Sequence, residues 1–187
     1  MRDDPAMGNL GYERQSSDYY PTPAWCTEAL LRELPKGRAD ERVWEPACGD
    51  GRMSEVLIQK YHVISTDLVD RGYSPGGVDF LAQTEMQGNS SHIVTNPPYE
   101  MAEEFLRHAL ALTKPHSGLV AFLLRNEFDS AKTRRDLFAN PPFWKKLVLT
   151  KRPRWFEGEG ASPRHNYSWF IWDWSHQGDA VIKYSGV

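Results

Sequence analysis

The chain has 187 residues, of which 40% are hydrophobic and 25% charged, with a formal net charge of −3 at pH 7. That length suits one domain by the prior of roughly 100–200 residues per domain, and that composition buries a core and argues against intrinsic disorder. The longest apolar run, Leu119 to Leu124, falls far short of the roughly 18 residues of a membrane span, and Met1-Arg2-Asp3-Asp4-Pro5 lacks the apolar centre of a secretory signal.

Residues 1–18 are polar, with Gly8, Gly11 and Ser16-Ser17, and read as a mobile arm; residues 19–187 read as a single domain. Pro21-Thr22-Pro23 opens a helix, with Thr22 as its cap and Pro23 in the first helical position. Trp25, Ala29, Leu30 and Leu34 repeat at helical spacing until Pro35-Lys36-Gly37. Arg42–Glu45 is a short buried strand, followed by the turn Pro46-Ala47-Cys48-Gly49-Asp50-Gly51 and a helix over 52–60. His62–Thr66 is a second strand, Gly77–Leu81 a weaker third and Ser91–Thr95 a fourth. A helix over Ala102–Thr113 turns Phe105, Leu106, Ala109 and Leu110 inward. Leu119–Leu124 is wholly apolar, as a strand buried on both faces requires. A short helix near Ala131–Phe138 and strands at Lys146–Thr150 and Tyr167–Asp173 follow, and Ala180–Tyr184 is an edge strand or a tail.

Strands alternating with helices predict a mostly parallel α/β sheet covered on both faces. In such sheets ligands bind outside the carboxyl ends of the strands. The Gly-rich turn, Asp67, Asp79 and Asn96-Pro97-Pro98-Tyr99 all fall at those ends. Gly49 and Gly51 allow close approach to the backbone, and Glu45 and Asp50 beside them repel a pyrophosphate but attract a cationic amine or sulfonium. A lone Gly-x-Gly turn is as often structural. Asp67 stands where an acid accepts both hydroxyls of a ribose, although by itself it reads more readily as a simple helix cap than as a ligand.

Asn96-Pro97-Pro98-Tyr99 is the sharpest signal, since this four-residue match arises by chance on the order of once in 10³ chains of this length. Its prolines fix the backbone and remove two donors. The Asn96 oxygen and the Pro97 carbonyl then accept both hydrogens of a planar amino group, while Tyr99 offers a face for ring stacking. That arrangement draws the nitrogen lone pair out of conjugation. The alternative is a rigid loop without chemistry.

With these motifs in order, the sequence resembles class I S-adenosylmethionine-dependent methyltransferases of the adenine-N6 amino group. The match runs from Tyr20-Pro-Thr-Pro23 through Glu45–Gly51, Asp67 and Asp79-Phe80 to Asn96–Tyr99, in the gamma-like order of cofactor motif before catalytic motif. The resemblance implies a Rossmann-like fold whose seven-stranded, mostly parallel sheet ends in an antiparallel strand, with Tyr167–Asp173 as the candidate. It implies S-adenosyl-L-methionine as cofactor and no metal. Glu45, Cys48, Gly49 and Gly51 would line its methionine part, with Tyr20, Thr22 and Pro23 closing over it. Asp67 would hold the ribose, Leu68 would flank the adenine, and Asp79 and Phe80 would meet the cofactor's base. Asn96, Pro97, Pro98 and Tyr99 would form the catalytic motif around the target base.

Only 88 residues follow Tyr99, which leaves little chain to read base sequence in a major groove. Residues 125–165 carry 10 Lys+Arg against 5 Asp+Glu, a modest basic face that equally reads as ordinary solvated surface. Within it Arg154, Trp155 and Phe156 interleave cation and ring as a flipped or single-stranded base would need; the two rings equally read as core cover. Arg125 and Asn126 are further candidate substrate contacts. The expectation is a minimal cytoplasmic methyltransferase acting on nucleic acid, DNA favoured over RNA, with loose sequence preference and no membrane association. A homodimer or a specificity partner would supply recognition. Glutamine methylation of a protein is the alternative from another class, disfavoured because only about twenty polar residues precede Pro21.

Overall fold

The computed structural model describes residues 19–34, 41–139, 142–155 and 165–186. The expected N-terminal arm, residues 1–18, and Phe156 lie outside the described residues. Four helices, α1 (Ala24–Glu33), α2 (Arg52–Leu57), α3 (Ala102–Thr113) and α4 (Arg135–Ala139), accompany seven strands. The strands are β1 (Arg42–Glu45), β2 (His62–Ser65), β3 (His92–Thr95), β4 (Leu119–Arg125), β5 (Phe143–Val148), β6 (Tyr167–Asp173) and β7 (Val181–Tyr184). They form one sheet in the order β2-β1-β3-β4-β6-β5-β7. Only β6 runs against its neighbours, and β7 lies on the edge parallel to β5. The antiparallel strand is therefore Tyr167–Asp173, as expected, and one further edge strand follows it.

The expected strand at Gly77–Leu81 does not form. Gly77 and Val78 donate their N–H groups to the carbonyls of Leu68 and Asp67, and the chain then turns. Asp79 accepts from the Leu81 N–H at 3.0 Å and caps a 3₁₀ turn over Phe80–Ala82. Phe80 is buried and Leu81 packs partly against the core from within this turn, so local capping outcompetes the sheet edge. The expected Thr22 cap also fails. Pro23 occupies the cap position (φ −59°, ψ 137°) and accepts from the Cys26 N–H, and no side chain caps α1.

Strand alternation divides the core in two. Val94, Ala121, Leu123 and Trp169 face α1 and α2, whereas Ile93, Val120, Phe122, Phe170 and Trp172 face α3 and α4. The buried tryptophans are satisfied: Trp169 donates to the Cys26 carbonyl and Trp172 to the Leu137 carbonyl, both at 2.8 Å. Trp169 thus joins β6 to α1 by packing and by a hydrogen bond. Trp169→Ala is expected to destabilise the fold by about 3–5 kcal/mol, read in urea as a lowered midpoint with unchanged slope.

Candidate active site

The carboxyl ends of β1, β2 and β3 open onto a cavity of about 570 Å³, within the roughly 300–1,000 Å³ of small-molecule sites. Tyr20, Thr22, Glu45, Cys48, Gly49, Asp67, Leu68, Asp79, Phe80, Asn96 and Pro98 all line it. Pro23, Gly51, Pro97, Tyr99, Arg125, Asn126, Arg154 and Trp155 do not. Among the described residues no group of three His, Cys, Asp or Glu could hold a metal ion, and no helix is long and apolar enough to cross a membrane.

Asp67 organises the Gly-rich turn. One carboxylate oxygen accepts the Gly49 N–H at 2.8 Å and the other accepts the Val69 N–H at 2.9 Å. A carboxylate has about four acceptor sites, so two remain. Gly49 (φ +57°) and Gly51 (φ +83°) both adopt left-handed backbone. The faces they open are covered by aromatic rings of the protein itself. A Cβ at Gly49 would stand 2.7 Å from the Tyr19 ring, and one at Gly51 only 2.2 Å from Tyr73. The sequence motifs mark neither Tyr19 nor Tyr73, which lies between Asp67 and the expected third strand.

Glu45 differs from the open carboxylate that the sequence suggested. It is 2% exposed and accepts from the Ser54 hydroxyl of α2, which in turn pairs with the Ser65 hydroxyl at 2.6 Å. Burial pushes its carboxyl well above the ordinary range, and the charges of Asp67 and Asp50 add to this, while the Ser54 bond opposes it. Without a cation beside it, this environment favours the neutral acid. Asp79 faces the cavity with one oxygen engaged as a cap, and Phe80 is 2% exposed, packed against Trp44 and Phe105. Leu68 is 62% exposed at the cavity mouth.

Asn96 follows β3 directly. Its amide nitrogen donates to the Tyr20 carbonyl and to the Thr22 hydroxyl, each at 3.2 Å. Both N–H groups are thereby used, and the amide oxygen is left buried without a partner. Tyr20 and Thr22, expected to close over the methionine end, thus also set the orientation of Asn96. The Pro98 carbonyl is taken by the Met101 N–H at 3.1 Å.

Tyr99 belongs to an aromatic cluster with Tyr20, Tyr167 and Trp155, at centroid distances of 5.3, 5.8 and 6.4 Å. The Arg125 guanidinium stands 5.9 Å from the Tyr99 ring. Trp155 therefore meets Tyr99 although 56 positions separate them in sequence. Tyr167, at the start of the antiparallel strand, was not anticipated. Arg154 is exposed on the same segment. Asn126 departs from expectation: its side-chain oxygen accepts from Ser168 and its carbonyl from Lys146, so it joins β4 to β6 instead of reaching outward. Part of the basic excess is likewise internal, since Arg134, Lys145 and Lys146 form ion pairs with Glu103, Glu33 and Asp129.

Comparison with solved structures decides the fold. A protein of Listeria monocytogenes, provisionally described as a class I S-adenosylmethionine-dependent methyltransferase, superposes with a TM-score of 0.65 at 13% identity, covering 95% of this chain and 69% of that one. The chain has the class I methyltransferase fold. A type I restriction-modification methyltransferase subunit of Streptococcus thermophilus gives the same score at 13% identity over 87% of this chain, which spans only 46% of that subunit. A protein of Pyrococcus horikoshii, provisionally described as an RNA methyltransferase, gives 0.59 at 14% identity over 84% and 88%. Neither a protein-family model nor a curated protein matches the sequence.

The buried acid makes a prediction about pH. A carboxyl whose pKa is raised by folding holds its proton in the native state and loses it in the unfolded chain, so it lowers stability as pH climbs past the unfolded value of about 4.3. Glu45→Gln removes that titration and keeps an acceptor for Ser54. Urea unfolding is expected to show the variant gaining on the native chain between pH 4.5 and 7.5, in the cofactor-free protein. A stability difference independent of pH would show that Glu45 is ionised throughout.

Proposed function

We propose that this protein is an S-adenosylmethionine-dependent methyltransferase that modifies the N6 amine of adenine in nucleic acid, with DNA as the favoured substrate. The observation that carries the proposal is the Asn96 amide of the cavity lining, fixed through both its N–H groups with its buried oxygen left unpaired. A buried acceptor without a partner is costly, and a substrate amino group would satisfy it.

The cavity also fits the cofactor. Five acids line it (Glu45, Asp50, Asp67, Asp79 and Glu100) against two arginines, which suits a ligand bearing a sulfonium and an ammonium. Such a ligand would supply beside Glu45 the countercharge that burial withholds. Asp67 retains acceptor sites for ribose hydroxyls. The cofactor contributes an electrophilic methyl group; the protein contributes position and polarity. Asn96 has no basic pKa near neutrality and acts as an acceptor, preorganised for the positive charge that develops on the target nitrogen. The Pro97 carbonyl is assigned the second N–H, and Tyr99 the ring face. Two neighbours named for restriction-modification and for RNA methylation support a nucleic-acid substrate, and the gamma-like motif order favours DNA.

Incubation with labelled cofactor and separate pools of duplex DNA, single-stranded DNA, RNA and protein is expected to label adenine N6 in DNA. Label on protein glutamine would reject the proposal. Asn96→Ala should reduce turnover by about 10²–10³ while cofactor affinity, measured by calorimetry, stays within twofold. Tyr99→Phe should retain much of the activity, whereas Tyr99→Ala should lose stacking worth roughly 1–3 kcal/mol.

The exposed cations beside the aromatic cluster give a separate prediction. Replacing Arg125 and Arg154 together with Ala should weaken nucleic-acid binding and flatten its dependence on log salt by up to about two phosphate contacts. An unchanged slope in fluorescence anisotropy would place the binding face elsewhere.

A further inference from the structure

We infer that Arg71 is the carboxylate-binding residue of the cofactor cavity, the group that takes the amino-acid end of S-adenosylmethionine. The inference rests on the cofactor reading above and assigns within it a residue that the sequence motifs do not mark. A methionine moiety brings a carboxylate into a cavity whose acids repel it, so a cation is required there. Two arginines reach the wall. Arg52 is already paired, with its Nε 2.9 Å from Asp50. Arg71 has no ion pair among the described residues and instead lays its guanidinium 4.2 Å from the centroid of the Tyr19 ring.

A guanidinium carries its N–H donors along its edge. That edge is a planar fork matched to a carboxylate. The position also agrees. The Tyr19 ring covers Gly49 at the turn after β1, where a Cβ would stand 2.7 Å away, and this turn is where the resemblance places the methionine part. Burial, together with the neighbouring Asp50 carboxylate, raises the Tyr19 pKa to about 12. The ring therefore stays a neutral platform at physiological pH. The loop after β2 thus delivers a cation to the cavity wall.

The test compares two ligands that differ only in the carboxylate: S-adenosylmethionine, and decarboxylated S-adenosylmethionine, which keeps the sulfonium, the amine and the nucleoside. Calorimetry on Arg71→Met should show affinity for S-adenosylmethionine falling at least tenfold, while affinity for the decarboxylated ligand changes less than twofold. Arg71→Lys, which keeps the charge and loses the fork, should fall between the native chain and Arg71→Met. Thermal unfolding without ligand should be the same for all three proteins. An equal loss for both ligands, or no loss for either, would overturn the assignment of Arg71 and leave the cofactor reading standing. A native chain that bound neither ligand would remove the cofactor reading and this inference with it.

Discussion

Parallel pairing of β1, β2, β3 and β4 brings four chain segments out of the sheet at one level, and the candidate site depends on that alignment. Glu45 closes β1, Asp67 and Asn96 stand just beyond β2 and β3, and Arg125 closes β4. Because β6 runs the opposite way, its first residue, Tyr167, arrives at the same level. The chain after β5, which is parallel to the others, brings Trp155 there as well. What enforces the alignment is burial on both faces of the sheet: a one-residue slip would exchange the residues facing α1 for those facing α3.

Within that frame, polar groups are arranged by a simple asymmetry. The scaffold occupies the donors of Asn96 and one acceptor site on each oxygen of Asp67, and it leaves the Asn96 oxygen unpaired. Glu45 is treated in the opposite way: burial disfavours its charge, and the Ser54 bond only partly offsets this. Each arrangement stores an unmet interaction that a ligand of the right polarity satisfies. The acid-lined cavity thus suits a cationic nucleoside, and on the proposed function the aromatic cluster would take a planar ring.

Much of this was legible in the sequence where local chemistry suffices. The helix α3 follows its apolar period and has the predicted bounds, Ala102–Thr113. The strand β4 is continuous apolar chain and cannot be anything but central. The motif Asn96–Tyr99 is set by proline geometry, and its place at a strand end follows from the alternation of elements. Gly77–Leu81 misled because an apolar-looking pentapeptide carries no mark of whether a sheet edge or a local cap will win; Asp79 supplied the cap.

The sequence by itself determined the alternating α/β order, the carboxyl-end location of the motifs and the chemical character of their side chains, because these depend on residue type and near neighbours. Only the tertiary structure decided which way the Asn96 amide turns, that Glu45 is buried, that Asn126 accepts from Ser168 and that Trp155 reaches Tyr99. It also decided that Tyr19, Tyr73 and Arg71 gather over the glycine turn. Each of these is a contact between segments far apart in the chain, fixed by the packing of the sheet and invisible to any local pattern.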